Sequence, residues 1–125
     1  MSKILLVEDD VHVVNVFKTV LEREGFEVLV AATGQDGLSM VKSELPSLVI
    51  LDIMLPGGMN GFDVLEDMKR APDTAKIPVL ILTNLDTEEE VAKKIGVADY
   101  LVKVNTSNAE VVKRVKSLVD RSHDT

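Results

Sequence analysis

Five short apolar runs, at residues 3–7, 27–31, 48–52, 78–83 and 99–102, recur along the chain with stretches between them long enough for a helix and its loops. The runs Ile4-Leu5-Leu6-Val7 and Leu48-Val49-Ile50-Leu51 are apolar at every position. Continuous apolarity of this kind marks strands buried on both faces, the condition of a parallel sheet covered by helices. The alternation therefore predicts an α/β fold, because parallel neighbours need a crossover connection and a helix usually supplies it. Right-handed crossovers then place helices on both faces and bring the carboxyl ends of the strands to one edge, where open α/β sheets bind their ligands.

The intervening stretches carry helix signals. Val13, Val16, Phe17, Val20 and Leu21 recur at helical spacing and Gly25 stands where such a helix would stop. Near the other end, Val111, Val112, Val115, Leu118 and Val119 form one stripe, with Lys113, Arg114 and Lys116 on the opposite side. Asp10 is predicted as an N-cap, and Ser107 with Glu110, like Thr87 with Glu90, has the spacing of a capping box. A third helix is predicted from just after Asn60-Gly61 to about Ala71, followed by a polar connection between Pro72 and Pro78, and Gly96 is predicted to end the fourth. Five strands and five helices fill the 125 residues, without an internal repeat or a linker. The expectation is a single domain over 1–125, with its core at about 3–119 and a polar tail over 120–125 that frays.

Charge and composition exclude several functions. With 14 Lys and Arg against 21 Asp and Glu, the net charge of −7 opposes the field that non-specific nucleic-acid or anionic-membrane binding needs. One Tyr, three Phe and no Trp leave no platform for stacking bases. The absence of Cys removes disulfides, thiolate metal sites and a cysteine nucleophile. Met1-Ser2-Lys3 leads into an apolar strand rather than a signal-peptide core, and no apolar run approaches the ~20 residues of a membrane span, so a cytoplasmic protein is expected.

The candidate chemistry lies at the strand ends. Asp52 closes the third run, Glu8-Asp9-Asp10 follow the first, Thr83 ends the fourth and Lys103 lies just past the fifth. Convergent carboxylates suit Mg²⁺, a hard cation that takes oxygen ligands and keeps waters a phosphate can replace. Without the metal, their mutual repulsion is expected to raise at least one pKa. A hydroxyl at Thr83 and an ammonium at Lys103 would complete a phosphoryl-binding pocket with a carboxylate nucleophile.

The motifs I-L-L-V-E-D-D at 4–10, L-D-I-M-L-P at 51–56, N-G-F-D-V-L at 60–65, I-L-T at 81–83 and D-Y-L-V-K at 99–103 stand together at separations under which the chain resembles the receiver domain of bacterial two-component response regulators, from Lys3 to about Val119. The resemblance implies a doubly wound (βα)5 flavodoxin-like sandwich, its five-stranded parallel sheet ordered 2-1-3-4-5. It implies Asp52 as phosphoacceptor, and Mg²⁺ held by Glu8, Asp9, Asp52 and the backbone carbonyl of Met54. Lys103 would pair with the phosphoryl group, Thr83 would be the switch hydroxyl, and Tyr100 the aromatic whose rotamer accompanies the switch. The implied partners are a sensor histidine kinase or a histidine phosphotransfer protein upstream and a protein partner or output domain downstream. That partner would read the face of the fourth helix, fifth strand and fifth helix. No direct nucleic-acid or membrane contact is implied, and a monomer or weak homodimer is expected, a signalling module and not a conventional enzyme.

Three positions depart from that family's pattern. Val104 follows Lys103 where proline after a cis peptide is usual; a cis Lys-Val bond would cost about 2.5–4 kcal/mol, so a trans path is expected. The loop Pro56-Gly57-Gly58-Met59-Asn60-Gly61 is one residue longer than usual, with glycines to absorb the insertion at positive φ. Asn84 replaces a smaller residue after Thr83, where its amide could narrow the path of attacking water or bond the phosphoryl group.

Blander readings apply elsewhere. Met54, Met59 and Met68 are read as fillers, His12 as an exposed helical residue, and Glu88-Glu89-Glu90 as a complement to a helix dipole. Asp99 and Arg114 occupy positions where receivers joined to DNA-binding domains carry dimer-forming charges. Competing functions are a degenerate receiver that binds partners without phosphorylation and a small Mg²⁺-dependent aspartyl-phosphate phosphatase. The phosphatase would need an acid just beyond the nucleophile, where Ile53 and Met54 stand. A flavodoxin-like cofactor binder lacks its glycine loop after the first strand.

Overall fold

The computed structural model describes residues 2–123. Its strands are β1 (Lys3–Val7), β2 (Glu27–Ala31), β3 (Leu48–Leu51), β4 (Val79–Thr83) and β5 (Asp99–Val102). They form one sheet in the order β2-β1-β3-β4-β5, every pairing parallel. Helices α1 (Val11–Arg23), α2 (Gly34–Glu44), α3 (Gly61–Lys69), α4 (Pro72–Ala75), α5 (Glu89–Ile95) and α6 (Asn108–His123) cover it. Successive side chains of a strand point to opposite faces, and the two cores divide accordingly. Leu5, Val7, Val49, Leu51, Val79 and Ile81 pack with Leu38 and Val41 of α2, Val64, Leu65 and Met68 of α3, and Ala92 of α5. Ile4, Leu6, Ile50, Leu80 and Leu82 pack on the other face with Phe17 and Leu21 of α1 and Val111, Val115, Leu118 and Val119 of α6. The sandwich is the doubly wound one the resemblance implied, and among the described residues no helix is long and apolar enough to cross a membrane.

Most helix limits follow their sequence signals. Asp10 caps α1, its carboxylate accepting from the amides of His12 (2.9 Å) and Val13 (3.4 Å). Gly25 (φ +94°) and Gly96 (φ +119°) stop α1 and α5 in the left-handed region that a side chain disfavours. The Ser107 hydroxyl accepts from the Glu110 amide at 3.1 Å. Val16 departs from its stripe and is exposed, so Phe17 and Leu21 carry the buried face of α1.

Several limits need correction. The Thr87 capping box does not form: the chain enters α5 through Glu88 (φ −107°, ψ 8°), one residue later, and the Thr87 hydroxyl bonds the Glu88 side chain at 3.4 Å. Three acidic residues at that end, Glu88 to Glu90, complement the exposed amides instead. The polar connection between Pro72 and Pro78 contains a helical turn, α4, started by a proline at its first position and secured by the buried Thr74 hydroxyl, which donates to the Met68 carbonyl at 2.6 Å. The expected tail is partly helical, since α6 continues to His123, while the rest of that expectation, residues 124 and 125, lies outside the described residues. No cis peptide occurs among the described residues, so Lys103–Val104 is trans as expected, and Gly57 and Gly58 take φ of +89° and +85°.

The start of α3 fixes the backbone beneath the candidate site. Asn60 and Asp63 form a reciprocal capping box, and the Gly61 amide donates to the Ile53 carbonyl at 2.8 Å. A Cβ on Gly61 would stand 2.3 Å from the Asp52 carbonyl oxygen and 2.8 Å from the Ile53 Cα. Backbone cannot yield as a side-chain tip can, so Gly61→Ala should destabilise the fold by about 1–3 kcal/mol, read as a lower urea midpoint.

Candidate functional site

The register of the sheet brings the acidic residues together. Val7 pairs with Leu51 across β1 and β3, so the next residue on each strand, Glu8 and Asp52, sit side by side at the carboxyl edge. Both keep ladder-type bonds there: the Glu8 amide donates to the Ala31 carbonyl at 2.9 Å and the Asp52 amide to the Val7 carbonyl at 3.1 Å. Their side chains are buried, and the backbone turns around each carboxylate. The Met54 amide donates to Asp52 Oδ1 at 3.3 Å, and the Asp10 amide to Glu8 Oε2 at 3.2 Å.

Lys103 reaches the pair from beyond β5. Its Nζ donates to Asp52 Oδ2 at 2.9 Å and to Glu8 Oε1. Thus the trans path after Lys103 does not keep the ammonium from Asp52. Asp9 is exposed, yet it offers a carboxylate oxygen within 4.8 Å of oxygens from Glu8 and Asp52, so three hard donors could hold one cation. The Met54 carbonyl belongs to the same turn, whereas the residue is 61 % exposed and is not a filler. Met68 is buried in the core and Met59 half-buried against it.

Burial raises the Glu8 pKa above its ordinary value; the bonds from Lys103 and the Asp10 amide offset this only in part, and the Asp52 charge adds a smaller push in the same direction. A raised carboxyl was expected from repulsion, but desolvation is its main cause. For Lys103, burial works against the charged form, but its bonds to Glu8 and Asp52 together outweigh burial and leave its pKa raised.

Thr83 and Tyr100 converge on one segment. Thr83 is fully buried at the end of β4, and its hydroxyl accepts from the Leu85 amide at 3.4 Å. The buried Tyr100 donates its phenol to the Leu85 carbonyl, so its ring is turned inward. Burial, followed by the Glu88 charge, raises the phenol pKa. Asn84, between the two contacts, accepts from the Val104 amide through Oδ1 at 3.2 Å. That bond escaped the sequence, as did the packing of Gly61 on the Asp52 backbone, since both depend on residues distant in sequence. His12 is exposed, as expected, and Arg114 binds Asp99 and Glu110 of its own chain.

Residues 4–116 match the response regulator receiver domain family, and the chain belongs to it. It is 38 % identical over 105 residues, 82 % of its length, to the transcriptional regulatory protein AfsQ1 of Streptomyces coelicolor, of which it covers 45 %. Against protein PilH of Pseudomonas aeruginosa it is 36 % identical over 105 residues, 82 % of this chain and 86 % of that one. A CheY-like receiver domain protein from Methanospirillum hungatei superposes with a TM-score of 0.89 at 28 % identity, over 99 % of this chain and 98 % of the other. The chain spans about half the length of AfsQ1 and of several other curated relatives it matches. As a receiver domain it is a signalling module of two-component systems, not a conventional enzyme, and its family implies interaction with a histidine kinase.

The raised Glu8 pKa has a definite sign. A carboxyl that holds its proton more tightly when folded adds stability below the ordinary carboxyl range, and that contribution is lost as pH rises through the folded pKa. In metal-free buffer, the stability of the wild type relative to Glu8→Gln should therefore fall as pH rises from about 4 to 7. Urea unfolding of both proteins across that range checks it; a gap that stays flat or moves the other way contradicts the assignment.

Proposed function

We propose that the chain acts as one cytoplasmic receiver unit that accepts a phosphoryl group from a histidine kinase or histidine phosphotransfer protein onto Asp52. The observation that carries this reading is the Glu8–Lys103–Asp52 cluster, a buried carboxylate held beside a cation at the carboxyl edge of a parallel sheet. An Asp52 carboxylate oxygen attacks phosphorus, a new P–O bond forms, and the P–N bond to the donor imidazole breaks with its electron pair leaving on nitrogen. With a small acyl phosphate, the P–O bond to the acyl group breaks instead.

The hard-oxygen donor set of Glu8, Asp9 and Asp52, with the Met54 carbonyl, fits Mg²⁺. When bound, that ion supplies positive charge against the carboxylates and the phosphoryl oxygens. Lys103 donates to Glu8 and Asp52 before phosphorylation, and its freely rotating ammonium can turn to an incoming phosphoryl oxygen. Asp52 is held by its own turn, with the Met54 amide on Oδ1, so its orientation persists when Lys103 shifts to the phosphoryl group.

Phosphorylation adds about −1.5 to −2 charges, and Thr83 is the hydroxyl placed to follow them. If Thr83 turns toward the phosphoryl group it gives up the Leu85 amide, and Tyr100 loses the fixed carbonyl that holds it inward. The face of α5, β5 and α6 then repacks for a downstream partner. A coupling of about 1–3 kcal/mol would change partner affinity roughly 5–150-fold. A monomer or weak homodimer suffices for this, because Arg114 is satisfied within its own chain.

Incubation with Mg²⁺ and a small acyl phosphate should add one phosphate-sized increment to the intact mass of the wild type, and none to Asp52→Ala or to wild type in excess EDTA. A gain that survives in Asp52→Ala would overturn the assignment. Tyr100 is the one tyrosine in a chain without Trp, so tyrosine fluorescence reports the switch directly. The signal should change on phosphorylation of the wild type and respond much less in Thr83→Ala, even where Thr83→Ala gains the same mass.

A further inference from the structure

Two of the positions that depart from the family pattern meet in space. Asn84 follows Thr83 and Val104 follows Lys103, and the Val104 amide donates to Asn84 Oδ1 at 3.2 Å. Proline has no amide hydrogen, so this bond exists only because position 104 is not proline. An amide side chain can meet an N–H donor only with its oxygen, which fixes the orientation of the Asn84 group.

The bond holds a turn that carries the pocket's ammonium. Lys103 opens a 3₁₀ turn over Lys103–Asn105. Two bonds close that turn on itself: the Thr106 amide to the Lys103 carbonyl at 3.3 Å and the Thr106 hydroxyl to the Val102 carbonyl at 2.7 Å. Neither reaches the neighbouring strand. The β4–β5 register ends at the pair Thr83–Val102, and one residue farther on the Asn84 side chain takes over by gripping Val104. Val104 itself adds little packing, since the residue is 77 % exposed.

Asn84 also sits inside the segment that carries both switch contacts. Thr83 precedes it, and Leu85, which follows it, is bonded through its amide to Thr83 and through its carbonyl to Tyr100. A displacement of Thr83 therefore pulls on the Lys103 turn through a single covalent step and one hydrogen bond. We propose that Asn84 is a positioning residue for Lys103: its side-chain oxygen anchors this trans turn to the loop after β4, and it makes the loops after β4 and β5 move together. The proposal rests on the phosphoacceptor reading of Asp52. It assigns Asn84 a role through Lys103, in place of direct contact with phosphoryl group or water.

The test combines Asn84→Ala, Lys103→Ala and the double variant, with acetyl phosphate and Mg²⁺ as the phosphorylation probe and amide hydrogen exchange of Val104 as a second readout. Asn84→Ala should slow phosphorylation roughly three- to ten-fold, the weight of one neutral hydrogen bond, and speed Val104 exchange by a similar factor. In the Lys103→Ala background, Asn84→Ala should slow the reaction no further, because the group it positions is gone. Asn84→Asp, which keeps an acceptor oxygen at the same reach, should restore Val104 protection. Slowing that persists in full in the Lys103→Ala background would overturn the proposal in favour of direct action on the phosphoryl group. A freed Val104 amide with an unchanged phosphorylation rate would reduce the bond to local structure and also overturn it. If the wild type takes no phosphate, the phosphoacceptor reading itself fails, and the exchange measurements, which need no phosphate, still decide whether Asn84 holds the turn.

Discussion

The register between β1 and β3 is the constraint on which the candidate site depends. Once Val7 pairs with Leu51, Glu8 and Asp52 must emerge together at the sheet edge, and both are buried. Two desolvated carboxylates side by side are tolerable only with a cation between them or a proton on one. Lys103 supplies the cation, and the raised pKa of Glu8 shows that burial is still only partly offset. An edge built this way stores a demand for positive charge, which a divalent ion meets better than an ammonium does.

The fold was legible because its information is local. Continuous apolar runs, Asp10 at the head of α1 and glycines at 25 and 96 each set a limit that tertiary packing left unchanged. Thr87 misled because two equivalent helix starts lay within one residue, and the entry conformation at Glu88 decided between them. The turn at Pro72–Ala75 was hidden by its shortness, since four residues carry no periodicity. Val16 looked apolar enough for the core, but on α1 only the stripe through Phe17 and Leu21 faces the sheet.

The candidate site was legible in its residue types and not in its bonds. Motif spacing pointed to Glu8, Asp9, Asp52, Thr83 and Lys103, and the sheet brings Glu8 and Asp52 into contact with the ammonium, with Asp9 within 4.8 Å of both carboxylates. Which atom of Lys103 meets which carboxylate, and that Thr83 and Tyr100 share Leu85, followed only from the folded geometry. The departure at Val104 illustrates the limit well. By itself it implies only a trans path after Lys103; together with Asn84, it is half of a hydrogen bond that neither residue could form without the other. Local sequence rules fail first where two loops compensate each other across the sheet.

The most direct measurement of the central claim is a structure determined with Mg²⁺ and beryllofluoride, a mimic of the phosphoryl group. Beryllium should sit on an Asp52 carboxylate oxygen, a metal at about 2.0–2.1 Å from oxygens drawn from the Glu8, Asp9, Asp52 and Met54 set, and Lys103 Nζ should turn toward a fluoride. Beryllofluoride bound elsewhere, or an Asp52 that keeps its Lys103 partner while the metal sits outside the acidic cluster, would contradict it.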